Sequence, residues 1–143
     1  MRFEKCNNNK VTNWSTKVFD FCNEINLKPF LWNERDCFSI ICSVVDVMYN
    51  TNYYEEQLKY KRTPRSAIKF YKDKQVYNSL LEIGFKKEKD KSQVGDVYYK
   101  IDENGKECTA INLYSHVLMA NEKDGFYTVR KKLINDNLTL MRI

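Results

Sequence analysis

One histidine, His116, and five cysteines, at positions 6, 22, 37, 42 and 108, bound the cysteine–imidazole chemistry open to this 143-residue chain. Cys37 stands apart among the thiols. In "ERDCFSIICSVVDVMY" (34–49) it marks the seam between a charged loop and an apolar helix. A thiol in the first turn of a helix faces unpaired backbone N–H groups and the positive end of the macrodipole. Its thiolate is favoured there, and its pKa is expected to fall. Cys42 lies among Ile41, Val44 and Val45 and reads as a small packed hydrophobe. A thiolate nucleophile also needs an imidazole within hydrogen-bond reach. In "LYSHVLMA", strand alternation puts Tyr114, His116 and Leu118 on one face, with Ser115, Val117 and Met119 on the other. A strand packed on the Cys37 helix would deliver His116 to the sulfur. The adjacent "GFYTVRK" offers Tyr127 and Thr128 as polar groups that could orient the ring.

The elements that must position these groups follow from the apolar spacing. "NWSTKVFDFCNEIN" repeats Trp14, Val18, Phe21, Cys22 and Ile25 at helical intervals. "LKPFLW" is extended, because Pro29 disfavours helix in the residue before it. A second helix runs from Cys37 to Tyr49, with Asp36 as its N-cap and a broad stripe of Phe38, Ile41, Val44, Val45 and Met48. Ile40 and Val47 are apolar too, so this helix is expected at the centre of the core. "NTNYYEEQLKYKRTP" reads as irregular or weakly helical and ends at Pro64. "RSAIKFYKDK" and "QVYNSLLEIG" form short helices, the latter with Gly84 as its C-cap. Beyond Gly84 the period changes to two. Strands are expected at "FKKEK", "GDVYYKID" (95–102), "CTAINLYSHVLMAN" (108–121), "GFYTVRK" (125–131) and "LTLMRI" (138–143), joined as an antiparallel meander. Asn104–Gly105 predicts a type I′ hairpin turn. Helices followed by a run of strands make an α+β fold, with N-terminal helices packed on a C-terminal antiparallel sheet.

Composition narrows the function. One domain, 1–143, accounts for the length. An odd cysteine count without CxxC pairs argues against a disulfide framework and a structural zinc site, so reduced thiols, no metal and no cofactor are expected. No apolar run is long enough for a membrane span, and "MRFEKCNNNK" lacks the h-region of a signal peptide. The net charge is +5, with lysines spread along the chain and locally dense in "KYKRTPR" (59–65) and "KKEKDK" (86–91). Acidic residues are interleaved and no nucleic-acid reader motif is present, so these runs read as solvated surface. The tyrosines of "NTNYYEEQLKYK" and "GDVYYK" read as exposed, in the manner of interface residues.

"WNERDC", "VGDVYY" and "SHVLMA" occur in the order seen in NlpC-type cysteine hydrolases, and from about Trp14 to Ile143 the chain resembles that family. Its narrower likeness is to the small phage-encoded branch found among tail genes. There a "Pro-Phe-x-Trp" stretch leads into the Asp-Cys motif, as "KPFLWNERDC" does here, and the closing strand ends much as "LTLMRI" does. The resemblance implies a stripped-down papain-like core, with Cys37 as nucleophile and His116 as general base. Thr128 stands at the third polar position, Gly95 and Asp96 form a structural Gly-Asp turn, and the Cys37 N–H serves as an oxyanion donor. It implies cleavage of cell-wall peptide amide bonds through an acyl-enzyme, in a virion-associated protein made in the host cytoplasm. The implied partners are tail or baseplate proteins and cell-wall peptide, with no membrane and no nucleic acid. Three departures from the pattern stand out: Phe38 and Ser39 follow the cysteine where small residues are usual, Leu118 replaces a glycine, and Thr128 replaces His, Asn or Gln. The alternative implied by those departures is an inactive structural subunit of a tail tip, baseplate or connector.

Overall fold

Asp36 starts the central helix as the apolar pattern requires. Its side chain accepts from the Ser39 N–H while the Ser39 hydroxyl accepts from the Asp36 N–H, a closed capping box. In the computed structural model, which describes residues 2–134 and 138–143, α2 then runs Cys37–Tyr49 and buries nine of its side chains. It is flanked by α1 (Trp14–Ile25), α3 (Tyr53–Leu58), α4 (Pro64–Lys72) and α5 (Gln75–Ile83). Thr63 caps α4 through a second capping box with Ser66, and Pro64 occupies the first turn, where its missing N–H costs nothing. The segment before Pro64, expected to be irregular or weakly helical, is part helix, and its tyrosines are not uniformly exposed: Tyr53 is buried.

The strands are β1 (Lys86–Lys87), β2 (Val97–Ile101), β3 (Glu107–Asn112), β4 (His116–Asn121), β5 (Gly125–Arg130) and β6 (Thr139–Arg142). They form one antiparallel sheet in the order β1-β6-β2-β3-β4-β5. Two expectations about it are corrected. The sheet is not a simple meander, because β6 returns across the molecule to lie between β1 and β2. The segment 108–121 is not one strand either. It folds back at Tyr114–Ser115, with the Leu113 N–H donating to the His116 carbonyl at 2.9 Å. No glycine or proline announces this turn.

The β2–β3 hairpin also differs from type I′, which needs positive φ at both central residues. Gly105 has φ 77° but Asn104 does not, and the Asp102 N–H donates to the Lys106 carbonyl at 2.9 Å. The turn is therefore the longer form, with one left-handed glycine. Register assigns the faces. Val97, Tyr99, Thr109, Ile111, Leu118, Phe126 and Met141 point toward the helices, while Tyr98, Cys108, Ala110, Met119 and Val129 point away. Val97, Ile111, Leu118, Phe126 and Met141 join Phe38, Ile41, Val44 and Val45 of α2 in one core.

Candidate functional site

The start of α2 is built around Asp36, which is fully buried. Its Oδ1 accepts from the Ser39 N–H (2.9 Å), the Lys61 ammonium (2.7 Å) and the Tyr71 hydroxyl (2.7 Å), and its Oδ2 from the Asn33 N–H (3.0 Å). The Tyr71 oxygen in turn accepts from the Phe38 N–H at 2.7 Å. Lys61 belongs to the run "KYKRTPR", expected in solvent, yet its side chain is 0% exposed. The rings of Phe38, Phe70 and Tyr71 stand 5.4–5.8 Å from its Nζ. Aromatic faces and one carboxylate replace water around this cation. Burial lowers the Lys61 pKa and raises that of Tyr71, and the Asp36 carboxylate opposes the first and reinforces the second.

Cys37 follows this cap. Helix geometry alone predicted a thiolate, but the thiol is pushed up to about 12 from an ordinary 9.0, first by burial and next by the adjacent Asp36 carboxylate. The neighbouring Thr109 hydroxyl and the Lys106 charge pull the other way and do not prevail. The anionic cap thus occupies the positive end of the dipole that was to stabilise sulfur. Cys37 is half-buried and shares a cavity of about 10 Å³ with Ile40, Thr109, Ile111, Leu118, Ala120 and Phe126. That is room for at most about one water.

The sulfur thus lies over the Thr109 end of β3 and the Leu118–Ala120 half of β4. His116 opens β4 and is not among the residues lining this cavity. It sits about 7 Å before Leu118 at strand rise. Its Nδ1 is 2.9 Å from the Ser115 hydroxyl, and its cross-strand partner is Arg130. Thr128 is exposed on β5 opposite Leu118, on the same face as His116. Among the described residues no hydrogen bond joins Thr128 to the ring. Tyr127 pairs with Met119 on the other face. The group facing Cys37 is Thr109, which the sequence reading passed over. Reading 108–121 as one strand hid the turn that separates Thr109 from His116.

A second polar centre joins the start of β2 to the neighbouring strand β6. Gly95, at φ 87°, turns the chain into β2, and its N–H donates to the Asn112 carbonyl at 2.8 Å. Asp96 is buried and accepts from Arg142 twice, Nε to Oδ1 at 2.8 Å and Nη2 to Oδ2 at 2.7 Å. The Gln93 N–H adds a third donor to Asp96 Oδ2 at 2.7 Å. The Gly-Asp turn and the closing basic residue are therefore one latch. Among the described residues, no cluster of three His, Cys, Asp or Glu side chains could hold a metal ion. No helix there is long and apolar enough to cross a membrane.

These features define an α+β protein in which a capped, apolar central helix lies on a six-stranded antiparallel sheet. The chain belongs to the family described as a domain of unknown function, DUF6950, whose model matches residues 9–135. No curated protein and no solved structure matches it.

Proposed function

We propose that the chain is an NlpC-like domain that has kept a papain-like arrangement of helix and sheet while losing the thiol chemistry. It serves as a structural subunit of a phage tail tip, baseplate or connector. The observation that carries this reading is the surroundings of Cys37: apolar walls and the Thr109 side chain around a cavity of about 10 Å³ with no space for a peptide carbonyl, a burial that pushes the thiol up to about 12. A hydroxyl can hold a thiol in place but cannot take its proton at neutral pH, so Thr109 cannot serve as the base of the attack step. Support for the tail assignment is the ordered motif set "WNERDC", "VGDVYY" and "SHVLMA".

The alternative is a cysteine peptidase acting on cell-wall peptides through Cys37, His116 and Thr128, and it makes the opposite prediction about turnover. Purified protein incubated with cell walls should release no new peptide termini above the level of the Cys37→Ser variant. Release by the wild type that disappears in Cys37→Ser would establish the peptidase and end the scaffold reading.

A further inference from the structure

Beyond the Cys37 cavity, on the far side of Ile40, three helices leave a groove of about 600 Å³. Phe21 and Ile25 of α1, Ile40 of α2 and Leu58 of α3 make its apolar floor. The volume falls within the range of recognition pockets. Leu31, 42% exposed, carries the apolar surface onto the rim. Arg35 and Arg62 also line it, against one acidic side chain, Glu34. Arg62 makes no ion pair or side-chain hydrogen bond among the described residues. Arg35 uses only Nε, donating to the Pro29 carbonyl at 2.9 Å, which leaves its outer N–H groups available. The rim itself is fixed, because Leu31 and Arg35 exchange backbone hydrogen bonds of 3.0 and 2.8 Å and the Tyr54 hydroxyl donates to the Glu34 carbonyl at 2.8 Å.

We infer that this groove receives an amphipathic helix of a partner protein, with its apolar stripe on the floor and acidic side chains against Arg35 and Arg62. The inference rests on the structural-subunit reading, and it names the chemistry of the partner. A trough between packed helices accepts side chains at i, i+3, i+4 and i+7, and guanidinium groups with free N–H donors select carboxylates on its flank. The excess of cationic over anionic groups on the rim sets the sign of the flank.

The test uses the full chain and a fluorescein-labelled synthetic helix with leucines at those four spacings and glutamates beside them, read by fluorescence anisotropy. Saturable binding is expected, weakened about tenfold by Arg62→Glu and about as much by a probe with lysines in place of glutamates. Leu31→Asp, a second surface change, should weaken it similarly, and circular dichroism checks that each variant folds. No saturable binding to the wild type, or equal binding of both probes, would overturn the inference. Concentration-dependent dimerisation lost in Arg62→Glu would also overturn it, by making a second copy of the chain the occupant. The outcome is separable from the cell-wall assay, since no groove variant touches Cys37.

Discussion

Lys61 and Asp36 are both without exposed side-chain surface, and each is costly alone. Removing one member of such a pair leaves the other as an uncompensated charge in a low-dielectric site, a penalty of roughly 3–5 kcal/mol. Lys61→Met should lower the unfolding free energy by about that amount in urea titrations. The double variant Asp36→Asn/Lys61→Met should be more stable than Lys61→Met alone, because it removes the stranded carboxylate and keeps a polar cap. A Lys61→Met protein as stable as the wild type would show that the ammonium is not holding the helix start. Lys69 and Asp73, exposed and four residues apart, provide the contrast: losing that pair should change stability by less than about 0.5 kcal/mol. Local sequence signals the surface pair but not the buried one, whose partners are 25 residues apart.

At the scale of elements, what the chain advertised was its local chemistry. Asp36 before an apolar run marks the start of α2 and Gly84 marks the end of α5, whereas Thr63 and Pro64, expected to close the preceding segment, are the cap and first turn of α4. The β3–β4 break was not legible, because Leu113–Tyr114–Ser115 carries apolar and β-compatible residues where a turn usually shows glycine or asparagine. The return of β6 to the middle of the sheet was equally hidden, since it depends on Arg142 finding Asp96, 46 positions away. That latch is testable. Arg142→Ala strands a carboxylate that is 3% exposed and should cost roughly 2–3 kcal/mol. Gly95→Ala forces an L side chain into positive φ and puts its Cβ 2.7 Å from the Met48 sulfur, a cost of about 1–3 kcal/mol if the flexible thioether moves aside. Both are read from urea midpoints, and a neutral result for both would mean that β6 is held by its backbone ladder alone.

For the molecule as a whole, the same sheet that completes the core decides the chemistry. The helix start lies against Thr109, Leu118 and Ala120, and the chain's one imidazole opens β4 with its Nδ1 2.9 Å from the Ser115 hydroxyl. The residue types that a cysteine–histidine site would need were readable from the sequence; the turn that sets where His116 enters β4 was not. The claim on which the functional account turns is that Cys37 is a packed thiol, and its ionisation can be followed directly. Thiolate is the reactive form, so alkylation should accelerate with rising pH and level off only above the thiol's pKa. The decisive measurement is the rate of Cys37 alkylation by iodoacetamide from pH 5 to 10, read by peptide mass spectrometry in the wild type and in His116→Ala. A thiol held near 12 predicts rates that climb throughout this range without a plateau and are unchanged by His116→Ala. A plateau reached below pH 7 and abolished by His116→Ala would contradict the account and restore the nucleophile.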